Sequence, residues 1–193
     1  MREKVHVCGG VHDGVISGMT DEYSDEELKE ILDKIETWVK TFNETEYFKE
    51  LTKEQQQESG FIISIFAEHM YSYIGLTPRQ WNESGLVECC LDVLSRKVTA
   101  DDSFYRSIAP VLYAFFKFLG EKKLIRKASK LAKKIKEIEP QIVKNASDSS
   151  RWGFAKSLLM GANKAGVDLE NENDVNRFIF LNNLKKLFKF WKW

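Results

Sequence analysis

The stretch Val111-Leu-Tyr-Ala-Phe-Phe-Lys-Phe-Leu119 decides the fold. It is apolar nearly all round, with Lys117 the exception. Such a pattern belongs to a helix at the buried centre of a helical protein. Gly120 is expected to end it, and Asp101-Asp102-Ser103 opens it as a carboxylate cap. Pro110 lies between, as a kink or as the first turn of a new helix.

Working outward, amphipathic helices lie on both sides. Glu121–Glu139 sets Leu124, Ala128, Leu131, Ile135 and Ile138 as a seam, with lysines mostly off it. Pro140 is expected to interrupt or kink the chain beyond this seam, and residues 147–150 to form a loop and cap. Residues 151–165 read as a helix closed by Gly166. A last helix, capped by Asn171 or Asn173, runs toward Trp193.

Upstream, residues 85–96 place Leu86, Val87, Cys90, Leu91 and Leu94 on one face. Thr77-Pro78 has the form of a cap followed by proline at the first helical position. Thr52 with Gln55 caps a long helix lined by Phe61, Ile62, Ile65, Phe66, His69, Met70 and Tyr73, with Gly75 at its C-terminal end. Ser24-Asp-Glu-Glu27 is a capping box before the stripe Leu28, Ile31, Leu32, Ile35, Trp38 and Val39. The expectation is an all-α, irregular bundle of seven to nine helices over residues 21–193, one domain, behind a flexible Gly-rich lead over residues 1–20.

Composition agrees. The 193 residues are 43% hydrophobic and 30% charged, with only three prolines. A chain of this length buries roughly 70% of its unfolded surface, so no disulfide or metal staple is needed. Cys8, Cys89 and Cys90 make an odd count with an adjacent pair, which reads as free thiols in a reducing cytoplasm. The first residues lack the apolar core of a signal peptide, and no apolar run is long enough to span a membrane.

The net charge is zero but unevenly spread. Residues 1–60 carry 7 Lys/Arg against 15 Asp/Glu, and residues 61–193 carry 22 against 14. The positive half concentrates in two places, which points to partners rather than to bond chemistry.

In Arg177–Trp193, Lys185, Lys186, Lys189 and Lys192 fall on one side of a helix and Leu181, Leu184, Phe188 and Trp191 on the other, with Trp193 at the end. This is a basic amphipathic helix suited to a grooved protein partner, an anionic membrane surface or nucleic acid. The alternative is a helix that closes the core with a wet lysine face. The second place is Lys117–Lys136, read as one basic helix, where Lys122, Lys123, Arg126, Lys127, Lys130, Lys133 and Lys134 could meet phosphates. Here the alternative is a solvated face whose counterpart is the acidic first helix. Opposite surface charges also allow self-association.

Other patterns are weaker. Tyr73-Ile-Gly-Leu-Thr-Pro-Arg-Gln-Trp81 has the outline of a helix-turn-helix corner, with Arg79 and Gln80 at the start of a reading helix. His6, Cys8 and His12 cluster within the lead, short of the four well-spaced ligands of a structural zinc site. No nucleophile elbow, phosphate-binding Gly-rich loop or zinc-protease motif occurs. His69 reads as a packed core residue, and neither an enzyme nor a cofactor is expected.

Leu91-Asp-Val-Leu-Ser-Arg-Lys-Val98, Phe115-Phe-Lys-Phe-Leu-Gly-Glu121, Trp152-Gly-Phe-Ala-Lys-Ser157 and Gly166-Val-Asp168 carry a resemblance over about residues 81–180. They resemble an uncharacterised helical domain of bacterial and archaeal plasmid- and transposon-associated passenger proteins. Some of those proteins bear an SEC-C-type metal-binding tail. The resemblance implies an all-helical module in a prokaryotic setting, without a known activity. The cysteine-rich tail is absent from the C-terminus of this chain, so no zinc role carries over. The reading is a non-catalytic interaction or regulatory module working through the C-terminal helix, or a nucleic-acid-binding accessory protein using the Lys117–Lys136 face.

Overall fold

The computed structural model describes His6–Val7, residues 24–167 and Asn171. The chain is an all-α, multi-helix bundle. Its described helices are α1 (Asp25–Phe42), α2 (Glu46–Lys49), α3 (Lys53–Ser72), α4 (Glu83–Glu88), α5 (Leu94–Lys97), α6 (Asp102–Glu121), α7 (Ala128–Ser147) and α8 (Phe154–Lys164). A π-turn, Cys89–Val93, joins α4 to α5 in one rod, and a 3-10 turn, Ser149–Arg151, precedes α8. Two short strands, β1 (His6–Val7) and β2 (Val98–Thr99), pair antiparallel, His6 opposite Thr99. No described helix is long and apolar enough to cross a membrane.

Helix α6 is the centre that its composition predicts. Phe104, Ile108, Leu112, Phe115, Phe116, Phe118 and Leu119 are all buried, and α3 and α7 pack along it. Phe42 of α1 meets Phe115 and Phe118 at ring distances of 5.5 and 5.8 Å. Phe66 of α3 meets Phe116 at 5.8 Å and Trp81 at 5.1 Å. Asp101 caps α6 by accepting the Phe104 amide at 2.9 Å. Pro110 does not divide the element. The helix passes through it, because residues on both sides, Ala109 and Val111, are buried and hold the backbone in place. Pro140 is likewise internal to α7.

The continuous basic helix over Lys117–Lys136 is not present. Helix α6 stops at Glu121, residues 122–127 turn, and α7 starts at Ala128. The stop is a Schellman motif: Lys123 adopts φ +55°, its amide donates to Gly120, and the Leu124 amide donates to Leu119. Gly120 serves close approach rather than termination, since a Cβ there would lie 3.3 Å from the Ala128 Cβ. Leu124 leaves the seam and is exposed, while Ala128, Leu131, Ala132, Ile135, Ile138, Ile142 and Ala146 form it.

Thr77-Pro78 does not restart a helix either. Thr77 to Gln80 is a turn, its carbonyl and amide ends tied to Gln80, and Asn82 caps α4 by accepting the Gly85 amide at 3.0 Å. Arg79 and Gln80 therefore do not open a reading helix. The Ser24 box is half formed. Ser24 accepts the Glu27 amide, but the Ser24 amide and the Glu27 carboxylate both bond the Tyr71 hydroxyl instead of each other. The Thr52–Gln55 box is complete. Cys89 and Cys90 are buried free thiols. Gly166 has φ +70° after α8, in keeping with its place at the helix end.

Candidate functional site

Two turns meet at one corner. Trp81 is buried against Phe66 and Phe116, which seats the Thr77–Gln80 turn beside the C-terminal half of α6. Arg79 from that turn then joins Lys123 and Arg126 of the α6–α7 turn around a cleft of about 390 Å³, completed by Leu124 and Ile125. No acidic residue lines it. An adjoining cleft of about 440 Å³ shares Lys123, Ile125 and Arg126 and adds Lys117, Glu121 and Tyr47 among others. Ile125 is buried and anchors the turn, while Leu124 stands at its exposed tip. Glu121, the acid at this corner, is engaged by Lys122 at 3.7 Å and by the Tyr47 hydroxyl, whose pKa it raises through a hydrogen bond.

Lys117, Lys123, Arg126, Lys127, Lys130 and Lys133 form no ion pair with any described residue. The described ion pairs are local in sequence, apart from Arg151–Asp92 at 3.8 Å. In α1, Glu36 pairs with Lys40, and no described ion pair joins an α1 acid to the corner. Of the predicted phosphate-contact residues, Lys134 is committed to Glu137 at 2.6 Å. Helix α7 opens at Lys127 with no capping side chain and no acid in its first turn. Its positive dipole end therefore adds to the field of the side chains.

A second polar cluster has no counterpart among the sequence expectations. Lys156 of α8 is 1% exposed, and its Nζ donates to the Ser95 carbonyl at 2.8 Å and to the Tyr105 hydroxyl at 2.9 Å. That Nζ lies 4.8 and 5.3 Å from the rings of Tyr105 and Trp152. No carboxylate pairs with it among the described residues, and burial pulls its pKa down to about 8. Burial also raises the Tyr105 phenol, which donates to the Val98 carbonyl. The one available signal is position: Lys156 shares the α8 stripe with Leu159 and Met160, three and four residues on.

His69 is a core residue, as expected. It is 2% exposed, its ring meets Tyr73 at 5.1 Å, and burial lowers its pKa to about 4, with Lys97 adding to the effect. Among the described residues, no group of three His, Cys, Asp or Glu side chains could hold a metal ion. Cys8 and His12 lie outside the described residues, as do Lys185, Lys186, Phe188, Lys189, Trp191, Lys192 and Trp193; His6 is described only as a strand residue. No family model, curated protein or solved structure matches this chain.

Proposed function

We propose that this chain is a non-catalytic helical module that binds nucleic acid through its phosphates at the α6–α7 corner. The observation that carries the reading is the convergence of Arg79, Lys123 and Arg126, from two separate turns, on one cleft without an acid. Arginine can grip a phosphate with two parallel hydrogen bonds, and the corner supplies two arginines where the basic segment alone holds one. Lys117 on the adjoining cleft and Lys127, Lys130 and Lys133, exposed at and beyond the start of α7, would extend the contact along a backbone. The basic sequence Arg177–Trp193 has the same sign and, on this reading, adds to the same polyanion. A protein or anionic lipid partner for that segment is the competing use of its lysines.

The test is anisotropy of a labelled duplex and of a labelled single strand, titrated across ionic strength. Affinity should fall steeply with salt, with a log–log slope of about −0.9 per phosphate neutralised on duplex DNA. Arg79→Ala, Lys123→Gly and Arg126→Ala together should flatten that slope by roughly 3, one for each lost contact. An unchanged slope in the triple variant would remove the corner from the reading.

A further inference from the structure

Helix α5 ends at Lys97, and the last carbonyls of any helix lack intrahelical partners. Here α8 and Tyr105 supply them. The Ser95 carbonyl receives Lys156 Nζ, the Arg96 carbonyl receives the Gly153 amide at 3.2 Å, and the Val98 carbonyl receives the Tyr105 hydroxyl. The same hydroxyl accepts from Lys156, so Lys156, Tyr105 and Val98 form one relay. Val98 is fully buried and belongs to β2, onto which the N-terminal strand β1 pairs. Helix α8 touches both α5 and β2.

Among the described side chains, this polar set is what ties α8 to α5 and α6. Among α8 side chains that are described, only Lys156 and Ala162 are buried, and Leu158, Leu159 and Met160 are half-buried. Gly153 is required for the approach, because a Cβ there would lie 2.9 Å from the Arg96 carbonyl oxygen. Trp152 fixes the entry by donating its Nε1 to the Ala146 carbonyl at 2.7 Å. Losing α8 would strip the α5 terminus of its acceptors' partners and, through Tyr105, loosen the backbone that β1 pairs with.

We propose that the Lys156–Tyr105–Val98 relay joins α8 and the β1–β2 pairing into one cooperative unit, which opens separately from the α1–α7 body. A segment whose described side chains are mostly half-buried and which is tied by a few shared hydrogen bonds has the character of a low-stability folding unit. The unit ties α8 and β1, which stand near the two ends of the described chain, to one lysine. Opening it would therefore release both together.

Hydrogen exchange of the full chain, resolved by peptide or by residue, tests this. Tyr105→Phe keeps the ring and removes the shared hydroxyl. It should lower protection of α8 and of the β1 and β2 amides together, by roughly ten- to a hundredfold, as expected for a bond to a charged group. Lys156→Met removes a buried charge as well as a donor, so it should shift both segments by one common factor in whichever direction. Protection of Val111–Leu119 and of Leu131–Ile142 should not change in either variant. The proposal is overturned if α8 and the strand amides shift by different factors, if neither shifts, or if every helix loses protection alike.

Discussion

The α6–α7 hairpin and the α5–α8 junction are built on opposite terms. The hairpin puts its aromatic and aliphatic side chains inside and leaves its cations at the corner to solvent. The junction buries a cation and fastens it to carbonyls and a phenol. Apolar burial is additive over many contacts, so one polar change at the corner does not threaten the hairpin. Hydrogen bonds at the junction are few and shared, so one change there reaches every partner. On the proposed readings, a polyanion-binding surface suits the first plan and a separately opening segment the second.

Removing a ring from the hairpin should have the largest effect. Phe116 is fully buried between Phe66 and Trp81. Phe116→Ala should cost about 3–5 kcal/mol in denaturant unfolding, with the helices of the α1–α7 body lost together. A cost under about 1 kcal/mol would mean that the hairpin is not the core.

Acid should act next, on the junction side, where His69 lies close enough to Lys97 to feel its charge. The folded pKa of His69 is about 4, below the ordinary 6.5 of an unfolded chain. Between those values the unfolded chain binds the extra proton. Stability is therefore full above pH 6.5 and falls as pH drops toward 4, by up to roughly 3 kcal/mol. His69→Leu should flatten that window, and a parallel loss in this variant would assign it elsewhere. Lys156 has the same sign at alkaline pH: its folded pKa of about 8 lies below 10.5, so protection of α8 should rise as pH climbs between the two.

A smaller effect separates the junction from the body. Gly153→Ala places a methyl 2.9 Å from the Arg96 carbonyl oxygen, a contact that neither backbone can relieve cheaply. The expected cost is about 2 kcal/mol, read as lost exchange protection in α8 with α6 and α7 unchanged. Global destabilisation by the same amount would merge the two regions into one.

Legibility in the sequence divides along the same line. The apolar run Val111–Leu119 and the caps at Thr52 and Asp101 are readable because composition and local hydrogen bonding decide them. The turn at residues 122–127 is hidden because lysine is a good helix former, and nothing in Glu121–Lys127 announces a left-handed residue. The same stretch supplies the corner's cations, so its charge is legible where its backbone is not. The sequence offers Arg79 for base recognition on a helix that does not form, yet tertiary packing of Trp81 brings it to the phosphate-binding candidates. Lys156 escapes notice because its partners are carbonyls and a tyrosine far along the chain, and carbonyls have no sequence signature.

The smallest prediction bears on why the corner is built as it is. Lys123 holds φ +55°, a conformation that costs an L-residue roughly 1–2 kcal/mol and glycine almost nothing. Lys123→Gly should therefore raise unfolding stability by about 1 kcal/mol, the Schellman hydrogen bonds to Gly120 and Leu119 being backbone and untouched. On the proposed function the same substitution should weaken nucleic-acid binding and reduce its salt slope by about 1. Stability gained with binding lost would mark Lys123 as a residue strained in the service of a site. Stability gained with binding unchanged would leave the left-handed lysine as a tolerated turn residue and place the phosphate contacts on Arg79 and Arg126.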